Sequence, residues 1–118
     1  MRTFNRFIST VLLTLLATQT FADVSAGKDI VTREQCARCH GGSSLGGGNA
    51  NLSVLTSDEL IDKLTAYRKS NIKGSMQNIT KNMTDQNIAD IAAYIVSISQ
   101  QITITSVDNF TANEGMSS

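Results

Sequence analysis

Apolar positions recur at helical spacing in two stretches of the chain. Leu60, Leu64 and Tyr67 stand at i, i+4 and i+7 within a segment from about Ser57 to Lys69. Ile88, Ile91, Ala92 and Ile95 form a second stripe from about Asp85 to Ser99. Each stretch has a start signal. Thr56-Ser57-Asp58-Glu59 reads as a capping box, the Thr56 hydroxyl taking one free N–H and Glu59 reaching back to another. Thr84 is the expected cap of the later helix, with Asp85 placed favourably in its first turn. A further helix is expected from about Ala26 through residue 40, capped by Ser25 and ended by Gly41-Gly42. Gly41 to Asn51 carries five glycines and predicts a loop, and Ser70 to Lys81 has no helical period. Ile102 and Ile104 alternate with threonines like a short strand that lacks a partner. The pattern predicts an all-α fold with three main helices and no internal repeat.

The first 22 residues belong to a different class of segment. Arg2 and Arg6 precede a mostly apolar stretch from Phe7 to Ala17, and Thr20-Phe21-Ala22 resembles a small-x-Ala cleavage site. This is the pattern of a secretory signal peptide, with a retained N-terminal anchor as the alternative; cleavage after Ala17 is a second option, but Asp23 makes the better polar start. The expected organisation is a signal peptide over 1–22, a domain over 23–100 and a polar, disordered tail over 101–118. Export implies a periplasmic location, and no later segment reads as long and apolar enough to span a membrane. The ten basic and ten acidic residues balance; without Arg2 and Arg6, eight face ten, a net charge of −2. No basic stripe suits a phosphate backbone, so no nucleic-acid partner is expected.

The chemistry concentrates in Cys36-Ala37-Arg38-Cys39-His40. Two cysteines at i and i+3 share a helix face, and a histidine follows directly. These are the only Cys and His residues in the chain, so a structural zinc ion would lack its four ligands. A thioredoxin-like redox pair would need a β-α-β context that is not evident, and a plain disulfide would not need His40. The C-x-x-C-H order is instead the attachment site of a c-type haem: both thiols bond to the porphyrin vinyl groups and His40 ligates the iron. The composition agrees. After residue 22 only Tyr67, Tyr94 and Phe110 are aromatic, a poor core unless a large flat group fills it.

A lone histidine excludes a second one as sixth ligand. Met76 and Met83 are the candidates, Met116 lying in the tail. Met83 precedes the cap Thr84, where it can pack on Ile88 as a hydrophobic staple. Met76 has no such role in its expected loop and is the preferred ligand; core filling is the alternative for both. Arg68, Lys69 and Lys73 read as a solvated helix end, with a docking patch for an acidic partner as the second reading. Arg38, Asn49, Asn51 and Tyr67 are candidate partners for the propionates.

With these residues assembled, the chain resembles a class I cytochrome c, more narrowly the small bacterial periplasmic monohaem cytochromes of the c4, c5 and c553 type. The likeness covers about Ala26 to Ile98. It rests on Ala26-Gly27-Lys28, Cys36-x-x-Cys39-His40-Gly41, Tyr67-Arg68-Lys69, Met76 and the stretch from Asp85 to Ile95. The resemblance implies that Gly27 permits a close helix crossing against which Tyr94 packs. It also places Met76 where the family carries its axial methionine, and Met83 where it usually has leucine. The chain departs from the family in having no proline. The family commonly offers a proline carbonyl to the outer nitrogen of the axial histidine, so an atom of the Gly46 to Leu52 loop must serve here. The implied function is a soluble one-electron carrier, a monomer meeting respiratory redox partners transiently, and not an enzyme. A gas sensor or weak peroxidase with a labile sixth ligand, and a haem subunit of a membrane complex, are the alternatives.

Overall fold

The computed structural model describes residues 21–114, with side chains to residue 106. The expected signal peptide falls almost wholly outside the described residues. Five α-helices follow in order: α1 (Val24–Arg33), α2 (Ala37–His40), α3 (Ser57–Lys69), α4 (Ser75–Thr80) and α5 (Asp85–Glu114). A 3-10 turn over Gly42–Ser44 separates α2 from α3. No strand is present among the described residues, as the hydrophobic pattern predicts.

The stripe of α5 organises the core. Ile88, Ile91, Ala92 and Ile95 are all buried, against Ile30 and Val31 of α1 and Leu60 and Leu64 of α3. Fully burying such an aliphatic side chain is worth about 1.5–3 kcal/mol. The stripe therefore outweighs any single cap, each worth about 1 kcal/mol. The caps set where the helices begin. The expected capping box on α3 is present: Thr56 N–H donates to Glu59 Oε2 at 2.8 Å and Glu59 N–H to Thr56 Oγ1 at 3.3 Å. Thr84 makes a similar reciprocal pair with Asn87, at 3.0 and 3.1 Å.

Four local expectations are corrected. The cap of α1 is Asp23, two residues earlier than Ser25; its carboxylate accepts from Ser25 N–H and Ala26 N–H. The helix does not run into the cysteines. It ends in a Schellman motif, with Gln35 N–H bonded to Thr32 O and Cys36 N–H to Val31 O, and Gln35 in the left-handed region at φ 55°. Glutamine is an unusual occupant of that position, so no glycine announced the break. The expected loop around Met76 is the short helix α4, its Thr80 hydroxyl donating to Met76 O at 2.8 Å. Finally, α5 passes its expected end at Ser99 and runs to Glu114, so residues 101–114 are helical and Ile102 and Ile104 do not form a strand. Thr103, Thr105 and Ser106 each donate to the carbonyl four residues back, which accommodates hydroxyl side chains on an exposed helix.

This length bears on the membrane expectation. Over Asp85–Ser106, α5 is long and apolar enough to cross a membrane by length and composition. The expectation that no later segment is long and apolar enough is therefore corrected: the stripe from Ile88 to Ile95 packs inside the domain, but only 28 % of the window is buried, and Ile102 and Ile104 are exposed.

The α1–α5 crossing sits on Gly27. A Cβ added there would lie 1.9 Å from Asp90 O and 2.9 Å from Tyr94 Cβ. Backbone cannot yield that distance without the helices separating. Gly27→Ala is therefore expected to lower stability by about 3 kcal/mol or more, the upper end of overpacking costs, read by thermal denaturation of the holoprotein. A second outcome concerns α3. The backbone N–H of Thr56, and then its hydroxyl, hold the Glu59 carboxyl below its ordinary value. A depressed folded value stabilises above the unfolded value and is lost as pH falls through the folded one. The stability deficit of Glu59→Gln should thus be present at neutral pH and close towards acid.

Candidate haem-binding site

The Schellman turn delivers Cys36 directly into a new helical turn. Cys39 N–H and His40 N–H both bond to Cys36 O, at 3.2 and 3.1 Å. Cys36, Cys39 and His40 thus come together on a single turn, although α1 does not extend through them. Both thiols are free; Cys36 is half-buried against the core and Cys39 is exposed. Burial, first of all, pushes the Cys36 thiol up from its ordinary value, and the nearby Glu34 adds to this; a backbone hydrogen bond opposes it.

The glycine-rich loop then folds back beneath α2. Gly41 turns the chain at φ 89°. Gly47 N–H donates to His40 O at 3.1 Å and Asn49 N–H to Cys39 O at 2.8 Å. These bonds satisfy the carbonyls that a helix end leaves open. Gly48 makes this approach possible: at φ 66°, any Cβ would stand 2.2 Å from Cys39 O. Leu45, 1 % exposed, plugs the loop into the core, and Leu52 N–H closes it on Leu45 O at 2.9 Å.

The consequence is at His40. Its Nδ1 lies 3.1 Å from Ala50 O. A carbonyl oxygen only accepts, so Nδ1 carries the proton of that bond. In the neutral ring, Nε2 is then left with its lone pair and no proton, the form a metal requires. The acceptor falls inside the loop expected from the missing proline. It was not legible as Ala50, because a backbone carbonyl leaves no mark in residue type.

Other expected residues are distributed differently. Met76 on α4 and Met83 before α5 are both half-buried and both pack on the core. Arg68 is not a free cation: it donates to Met83 O at 3.0 Å and pairs with Asp85. It ties α3 to the start of α5, which the basic-cluster reading missed. Arg38 donates to Gln35 Oε1, and the Asn51 side chain holds Ser53 N–H and Oγ, so both have local structural partners. Tyr67 is 46 % exposed, beside Val54 at 71 % and Ile72 at 80 % among the large exposed apolar side chains. The two cysteines on one turn and the imidazole with its Nδ1 engaged suit a c-type haem, with Cys36 and Cys39 to hold it and His40 to meet its iron.

An all-α fold with a Cys–His attachment turn and a histidine presented to metal defines a c-type cytochrome. The family described as cytochrome c oxidase, cbb3-type, subunit III matches residues 22–95, well over half of the chain, and the chain belongs to that family. No curated protein and no solved structure shows a significant match. Membership brings one covalently bound haem c with its iron, and the cytochrome c fold.

Gly48→Ala tests the support beneath His40. Displacing the loop moves Ala50 O from Nδ1, and losses of such supporting bonds typically cost 10–100-fold in metal affinity or activity. The expected outcome is a lower yield of holoprotein and an altered midpoint potential, checked by redox titration; Gly42→Ala, whose Cβ meets nothing within 4 Å, serves as the loop-strain comparison.

Proposed function

We propose that this chain is a periplasmic monohaem electron carrier of the small class I type, attached to haem through Cys36 and Cys39, with His40 and Met76 as axial ligands. The observation that carries the reading is the His40–Ala50 bond, which leaves one lone pair free for iron. Haem c supplies a one-electron Fe(III)/Fe(II) couple. The chain's part is to hold the ligands still and to keep water away. His40 is fixed in one tautomer by the loop. A thioether as second ligand favours the reduced state relative to imidazole. Apolar surroundings act in the same direction, since the more highly charged ferric state is costly away from water.

Met76 is preferred because Met83 already has a structural role. It stands directly before the Thr84 cap, the position from which a side chain packs on the buried Ile88 as a hydrophobic staple. With both positions filled, no ligand must enter or leave during the redox cycle. The exposed position of Cys39 would leave a haem held there open to brief encounters through a small interface, with respiratory redox proteins as partners and a monomer as the working form. A second reading, a haem subunit of a membrane-bound oxidase, is favoured by the family description. Co-purification from solubilised membranes with a complex that survives salt washing supports the subunit; recovery free in the periplasmic fraction supports the carrier.

Two spectroscopic outcomes test the site. Met76→Ala should lose the low-spin spectrum and its methionine-to-iron charge-transfer band, while Met83→Ala keeps both at reduced stability. The reverse pattern assigns the ligand to Met83, and a high-spin parent spectrum favours the sensor or peroxidase reading. Acid–organic extraction should leave the haem on the parent and on either single-cysteine variant, and release it only from Cys36→Ala/Cys39→Ala.

A further inference from the structure

Asp90 is an acid buried in the core helix that has no cationic partner among the described residues. It is 4 % exposed. The ion pairs among the described residues are Arg33–Glu34 and Arg68–Asp85, and neither involves it. Its Oδ1 accepts from two neutral donors, Gln86 Nε2 at 2.7 Å and the backbone N–H of Asp23 at 2.7 Å. A buried carboxylate with only neutral partners is costly, and a cation at hydrogen-bond distance offsets that cost. One of the two donors can become that cation. Asp23 directly follows the Thr20-Phe21-Ala22 cleavage pattern.

We propose that Asp90 is the receptor for the mature N-terminus: hydrolysis of the Ala22–Asp23 bond turns the amide nitrogen already seated on Oδ1 into an ammonium, and the resulting pair locks α1 onto α5. The inference rests on the export reading above. The step balances: water supplies the hydroxyl to the Ala22 acyl carbon and a proton to the leaving nitrogen, which takes a second proton from neutral solvent. The nitrogen atom need not move. The positive charge falls at the N-terminus of α1, where the helix dipole alone disfavours it. Two carboxylates oppose that penalty, Asp90 across the crossing and the Asp23 side chain, which caps Ser25 and Ala26. Cleavage also removes Phe21, whose carbonyl shares Gln86 Nε2 at 3.2 Å, leaving that amide to Asp90. The pair lies beside the Gly27 contact with Asp90 O, so processing would tighten the same crossing that Gly27 permits.

The test uses exported, haem-loaded protein. Intact mass should place the first residue at Asp23; a start elsewhere overturns the proposal. Four proteins are then compared by thermal denaturation: the parent, an insertion of Gly-Ser between Ala22 and Asp23 that restores an amide there, Asp90→Asn, and both together. The insertion should lower the midpoint by about 4–8 °C with Asp90, the shift that one charge-assisted bond produces in a domain of this size, and leave it unchanged with Asn. An equal shift in both backgrounds, or none in either, overturns it. Should Asp90→Asn not fold, acylation of the parent's α-amino group in neutral buffer decides. Labelling at least tenfold slower than a free peptide of the same first five residues supports the pair, and labelling at the peptide's rate refutes it. Soret absorbance, recorded on every sample, reports failure of the haem reading separately.

Discussion

The bond from His40 Nδ1 to Ala50 O is the constraint on which the rest of the site depends. An imidazole on a short, half-exposed turn has no intrinsic orientation or tautomer. The loop supplies both. Its two N–H donors are fastened to the carbonyls of Cys39 and His40 themselves, so the acceptor and the ring it orients belong to one closed unit. The rigidity usually drawn from proline is here obtained from hydrogen bonds to a helix end and from a buried leucine anchor. Glycine at 48 is what lets those two backbones meet.

The scaffold under that unit is a pair of crossed helices. The stripe on α5 provides most of the driving force, and Gly27 determines how closely α1 can approach it. From α1, the left-handed Gln35 redirects the chain so that Cys36 and Cys39 begin a fresh turn. The helix break is thus part of how the thiols are presented. Arg68 plays a comparable role on the other side, joining α3 to the segment between Met83 and Asp85. It shows how a residue at a helix end that reads as solvated charge can be spent on tertiary structure.

Membership in the cbb3-type subunit III family and the covalent haem that goes with it agree with the attachment motif. The family description and the resemblance to small periplasmic carriers point to different assemblies built on the same domain. The electron-transfer chemistry is common to both, because it resides in the haem, its ligands and the loop that orients His40. What differs is the surface, and there the long α5 stands out, its exposed Ile102 and Ile104 lying beyond the core stripe.

Several things were decided by the order of residues alone. The Cys36–Cys39–His40 spacing points to the cofactor, because zinc would lack ligands, a redox pair would need a β-α-β context and a disulfide would not need the histidine. The α3 capping box and the α5 stripe were equally legible, since caps and periodicity are local properties of neighbouring side chains. Other features belong to tertiary structure. The Schellman break at Gln35 has no glycine to announce it, and α4 is too short to establish a period. The continuation of α5 relies on hydroxyls bonding back along a helix that their alternation disguised as a strand. Ala50 as acceptor and Asp23 as the neighbour of Asp90 depend on backbone atoms, which every residue carries alike. Only the folded chain can choose among identical carbonyls and amides, because proximity, and not residue type, selects them.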